Sequence, residues 1–82
     1  MNTVPVHLLK LIAAGAPYAT PEETLRIDIR RVVPGTSGGQ ISSAFTQLEN
    51  QKLAISTKDE LSGDMKWSVT EVGKTKLVEL GA

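Results

Sequence analysis

Ile41-Ser42-Ser43-Ala44-Phe45-Thr46-Gln47-Leu48-Glu49-Asn50-Gln51-Lys52-Leu53-Ala54 is the stretch on which the reading of the chain turns. Ile41, Ala44, Phe45 and Leu48 stand at i, i+3, i+4 and i+7, the spacing of a helix with one face against a core. The periodicity predicts a helix from about Gln40 to Gln51. Its opposite face carries Gln40, Ser42, Ser43, Thr46, Gln47 and Asn50, polar and almost free of charge. From Leu53 the pattern changes to strand-like alternation. Leu53, Ile55 and Thr57 alternate with Ala54, Ser56 and Lys58, and Met65, Trp67 and Val69 alternate with Lys66 and Ser68. Between them Asp59-Glu60-Leu61-Ser62-Gly63-Asp64 predicts a hairpin loop.

Upstream, Leu8, Leu9, Leu11 and Ile12 predict a first helix over about Val6 to Ala14, stopped by Gly15 and Pro17. The second helix has a clear start signal. Thr20 can cap it, Pro21 suits its first position and Glu23 falls three residues after the cap. Glu22 and Glu23 lie at the positive end of its dipole. Leu25, Ile29 and Val32 predict its buried stripe, with Arg26, Arg30 and Arg31 largely off it, and Pro34-Gly35 ends it. Gly35-Thr36-Ser37-Gly38-Gly39 reads as a flexible link to the third helix. Downstream, Thr70-Glu71 opens a last short helix with Val72, Leu77 and Leu80 as expected core contacts. The expected order is helix, helix, helix, strand, strand, helix: an α+β, mostly α, single domain over residues 1–82.

Composition narrows the function classes. Nine Lys and Arg balance nine Asp and Glu, so the chain lacks the basic coat of a general nucleic-acid scavenger. Forty per cent hydrophobic and 22% charged residues suit a soluble globular domain. With no cysteine, there is no disulfide, thiolate zinc site or cysteine nucleophile. No apolar run approaches the roughly 20 residues that span a bilayer. Met1 to Lys10 lacks a charged leader and a cleavage site, so the expectation is a small cytoplasmic protein of prokaryotic or phage origin.

The Ile41–Ala54 stretch resembles the third helix of winged helix-turn-helix regulators of the multiple-antibiotic-resistance type, where an apolar seam leads to Leu-Glu, two polar residues, a turn and Leu-Val. Trp67-Ser68-Val69-Thr70-Glu71-Val72-Gly73-Lys74 is similar to the strand-to-helix pattern after the wing in those proteins: an aromatic, then Leu-Thr, then Gly-Lys or Gly-Arg. Helix 2, its turn and the hairpin fit between at suitable lengths. The resemblance implies a winged helix domain, with the third helix in the DNA major groove and the 53–69 hairpin as a wing on the adjacent backbone or minor groove. It makes Gln40, Ser42, Ser43, Thr46, Gln47 and Asn50 candidate base or phosphate contacts, Lys58 and Lys66 wing contacts, and Arg30, Arg31 and Lys52 phosphate contacts. The chain departs from the pattern in two ways. The outward face of helix 3 has Ser43, Thr46 and Gln47 where those regulators carry Arg or Lys, and Lys52 replaces the usual Gly after the helix.

A polar, uncharged helix can still read bases, since Gln and Asn match adenine and Ser and Thr reach either kind of edge. Affinity comes mainly from phosphate neutralisation, which Arg26, Arg30, Arg31, Lys52, Lys58 and Lys66 can supply if they share one face. Other chemistry finds no footing. Gly39 is followed by Gln40-Ile41, not the Lys and Ser or Thr of a phosphate loop. His7, the single histidine, has no carboxylate cluster near it in sequence, and no base is placed to activate a Ser or Thr. The expectation is a non-enzyme with no cofactor and no metal. Trp67 is expected in the core under the wing and Tyr18 in an exposed loop.

The reading is therefore sequence-specific binding of double-stranded DNA by a small transcriptional regulator. A homodimer through helix 1 or the last helix would serve a two-fold DNA site. The alternative is a winged helix protein-interaction module in a transcription or replication complex, without direct DNA binding. Neutral charge, an uncharged helix 3 face and the acidic Asp59, Glu60 and Asp64 of the wing loop suit that role.

Overall fold

Leu8, Leu9 and Ile12 are buried on one side of α1 (Val4–Ala14), which crosses the centre of the molecule. The computed structural model describes residues 3–81, so residues 1, 2 and 82 of the expected domain lie outside it. Beyond α1 run β1 (Thr20–Pro21), α2 (Glu22–Val32), α3 (Gly38–Asn50), β2 (Ala54–Lys58), β3 (Met65–Val69) and α4 (Glu71–Glu79). The architecture is the expected α+β one, mostly helical. Around α1 pack Leu25 and Ile29 of α2, the Ile41, Ala44, Phe45 and Leu48 seam of α3, and Leu77 of α4. Trp67 of β3 closes this core from the wing side, as expected, and Tyr18 is exposed. No helix among the described residues is long and apolar enough to cross a membrane.

The sheet has one strand more than the sequence predicts. It is three-stranded and antiparallel in the order β1-β3-β2. Thr20 and Pro21 pair with Trp67 and Lys66. Thr20 therefore belongs to a strand and does not cap α2; Pro21 stands at the N-cap and makes no side-chain capping bond. Proline is tolerated there because an edge strand leaves its missing N–H on the unpaired side.

Three expected core positions, Val32, Val72 and Leu80, lie at the surface, as does Ile55 of β2. Val32 is exposed because α2 ends there, and Val33, the first residue beyond the helix, packs against the core instead. Ile55 is exposed because the inward residues of β2 are Ala54 and Ser56, in register with Val69 and Trp67. Val72 and Leu80 are exposed because α4 turns Gly73 and Leu77 to the core. At Gly73 two backbones approach closely: a Cβ there would run into the Leu53 carbonyl oxygen.

The glycine-rich link is shorter than expected. Gly38 and Gly39 form the first turn of α3, and Ser37 caps it. The Ser37 hydroxyl accepts from Gln40 N–H at 3.2 Å, and Ser37 N–H donates back to Gln40 Oε1 at 2.9 Å. This reciprocal capping box fixes the start of α3. At its other end, Lys52 N–H donates to Glu49 O and Leu53 N–H to Leu48 O, with Lys52 at a φ of 59°. These bonds reverse the chain directly into β2.

Candidate nucleic-acid interface

α3 is buried along its Ile41–Leu48 seam, which leaves Gln40, Ser42, Ser43, Thr46, Gln47 and Asn50 facing solvent. Their hydrogen bonding divides them. Gln40 Oε1 is held by the capping box. Thr46 Oγ1 donates to Ser42 O at 3.1 Å, so its proton stays on its own helix. Ser42 Oγ accepts from Arg26 Nη2 at 3.2 Å. Among the described residues, Ser43, Gln47 and Asn50 have no side-chain hydrogen bond, and they stand at i, i+4 and i+7 on one stripe. Two primary amides and a hydroxyl are thus presented with both donors and acceptors unspent.

The basic residues do not form one continuous surface. Arg30 lies at the start of α3, its Nη2 3.9 Å from where a Cβ of Gly38 would stand. Arg31, next along α2, is exposed. Lys52 sits in the turn beyond the C-terminal end of α3. Lys58 and Lys66 separate: in the β2–β3 register, Lys58 pairs with Met65 and shares the inward face with Trp67, whereas Lys66 pairs with Thr57 on the opposite face. Lys66 is also occupied, its Nζ lying 3.3 Å from Asp59 Oδ2. Among the described residues, Arg30, Arg31, Lys52 and Lys58 make no salt bridge.

Arg26, one of the six basic residues expected to neutralise phosphate, is joined directly to α3 through Ser42 and Phe45. Its guanidinium carbon lies 5.5 Å from the Phe45 ring centroid, and its Nε lies 3.5 Å from Glu22 Oε2. Glu22 in turn accepts from Trp67 Nε1 at 3.1 Å. The spacing of Glu22 and Arg26 by four residues was the available signal.

The wing loop uses one of its acids internally. Asp59 Oδ1 accepts from Leu61 N–H at 2.9 Å, and backbone bonds join Asp59 N–H to Asp64 O and Gly63 N–H to Asp59 O. The Leu61 amide, followed by Lys66, holds the Asp59 carboxyl below its ordinary value. Glu60 and Asp64 are exposed, and Leu61 between them is fully exposed. Ser56 Oγ donates to Glu49 Oε2 at 2.8 Å, tying the base of the wing to α3.

No protein-family model matches the sequence, and no curated protein matches it. Among solved structures, the fold is similar to that of a PadR family transcription regulator from hypervirulent Clostridium difficile R20291. The TM-score is 0.82 over 98% of this chain and 84% of that chain, at 12% sequence identity. The likeness reaches the winged helix fold and does not single out the multiple-antibiotic-resistance type. The chain has the winged helix fold.

Proposed function

We propose that this domain binds double-stranded DNA sequence-specifically as a small transcriptional regulator, with α3 in the major groove and the 53–69 hairpin as its wing. The observation that carries the reading is the unspent Ser43–Gln47–Asn50 stripe on the solvent side of α3. Gln47 and Asn50 have the paired donor and acceptor that adenine requires, and Ser43 reaches either kind of base edge. Arg30 and Arg31 near the start of α3, Lys52 beyond its end and Lys58 on the wing provide phosphate contacts whose counterion release supplies affinity. Lys66 joins them only on leaving Asp59. Gln40, Ser42 and Thr46 have secondary roles, since each has a polar atom already engaged. The mechanism is occupancy of an operator in the cytoplasm, with no bond made or broken.

The test is fluorescence-anisotropy titration against fragments of the source genome, including DNA flanking the coding gene, at low and near-physiological salt. Saturable binding that survives salt and prefers one fragment is expected. Arg30→Ala with Arg31→Ala should weaken binding alike across fragments and flatten its salt dependence, whereas Gln47→Ala should relax preference by about 1–3 kcal/mol. Wild-type binding that is absent, or sequence-blind and lost with salt, overturns the proposal. A protein-docking role would then take its place, favoured by the fully exposed Leu61 between the acids of the wing tip.

A further inference from the structure

Four side chains from three elements close a ring beside the outward face of α3. Trp67 of β3 donates to Glu22 Oε1, Glu22 Oε2 faces Arg26 Nε, the Arg26 guanidinium lies over Phe45, and Phe45 stacks on Trp67 with centroids 4.7 Å apart. Arg26 also donates to Ser42 on α3. We propose that Arg26 is a phosphate contact held in reserve, and that Glu22 is the counter-ion that masks it until DNA arrives. The inference rests on the DNA-binding reading and deepens it.

The donor arithmetic permits the exchange. A guanidinium has five N–H donors; one faces Glu22 and one engages Ser42, which leaves others for an oxyanion. Both partners of the pair are about one-third exposed, so a phosphate can approach without opening the core. An ion pair this open to solvent contributes little, so phosphate can displace it. Glu22 is held back from the incoming phosphate, because Trp67 holds its other oxygen. Arg26 stays in place through the exchange because its guanidinium rests on the Phe45 ring and its Nη2 donates to Ser42. Glu22 and Glu23 share a shallow cleft with Arg26 and with Asp64 of the wing loop. Among the described residues, Arg26 is the one cation lining that acidic cleft.

The experiment is a double-mutant cycle read by anisotropy on the preferred fragment, at salt concentrations from about 50 to 200 mM. Glu22→Gln retains an acceptor for Trp67 and removes the masking charge, so binding should tighten about two- to fivefold. Glu23→Gln, which removes a neighbouring charge that has no contact with Arg26, should give a smaller gain. Arg26→Gln should lower the salt slope by about 0.9, the share of one phosphate. In the Arg26→Gln background, Glu22→Gln should give no more than the Glu23→Gln gain. An equal gain with and without Arg26 makes Glu22 a mere background charge and overturns the proposal. If Glu22→Gln does not fold, the slope decides alone: an unchanged slope in folded Arg26→Gln also overturns it, while wild-type binding leaves the DNA reading intact. Absence of wild-type binding overturns both.

Discussion

Lys52 occupies a backbone conformation that lysine adopts at a cost. Its φ of 59° is in the left-handed region, where a Cβ crowds the following carbonyl by roughly 1–2 kcal/mol and only glycine escapes. The Lys52 and Leu53 amides close the last carbonyls of α3, so the conformation is fixed by the helix end. Lys52→Gly should therefore raise stability by about 1 kcal/mol and Tm by about 4–8 °C. The same variant should bind DNA with a salt slope lower by about 0.9 if Lys52 contacts phosphate. A higher Tm with an unchanged slope would make Lys52 a neutral occupant of the turn. Gly73 presents the opposite case. Its missing side chain is what lets the Thr70 hydroxyl accept from the Gly73 amide while its one proton is shared between the Lys52 and Leu53 carbonyls. Gly73→Ala should cost about 3 kcal/mol or more in chemical denaturation, since the added carbon meets backbone that cannot give way.

Among the elements, the wing owes its loop conformation to Asp59. Its carboxylate accepts the Leu61 amide and pairs with Lys66, and its pKa lies below the ordinary 3.8. A carboxyl with a depressed folded pKa stabilises above its unfolded value, and that contribution is lost as pH falls through the folded value. The loop should thus be fully fixed at neutral pH and loosen only below 3.8. The Leu61 amide resonance should shift with the carboxyl titration in that range, and the shift should be absent in Asp59→Ala. A shift that persists in the variant would assign it to another group. The same hairpin marks the limit of what alternation can tell. Leu53, Ile55 and Thr57 alternate cleanly in sequence, yet the inward phase belongs to Ala54 and Ser56. Leu53 is buried in the turn ahead of the strand, and the Lys52 reversal resets the phase after it. The α3 seam was legible because a single amphipathic period determines it. β1 was not, because two residues have no period and their pairing with Trp67 and Lys66 is made across the fold. At the candidate interface, the polar face of α3 was legible as a list of residues. Which of them are spent, and that Lys66 and Lys58 turn to opposite faces, depended on contacts and register that spacing does not carry.

For the whole molecule, the question is whether one copy suffices. The stripe from Ser43 to Asn50 spans seven helical steps, about 10 Å of helix, or roughly three base-pair steps. Three base pairs cannot mark one site among the roughly 10⁶ or more competing sites of a genome. Net charge adds nothing, being zero over the chain. The four proposed phosphate contacts that are free of salt bridges give a slope near −3.6, or roughly −4.5 with Arg26 released. Two copies double both the reading length and the slope, to roughly −7 to −9. The longest dimension of the described chain is 37 Å, close to the roughly 34–36 Å that separates half-sites one helical turn apart. The specific complex should accordingly contain two chains per DNA duplex, with protection in two patches about one turn apart. Sedimentation of the complex gives the stoichiometry, and the anisotropy series gives the slope. A one-to-one complex that retains sequence preference at physiological salt would place the missing reading length on the wing, since α3 alone is too short to supply it.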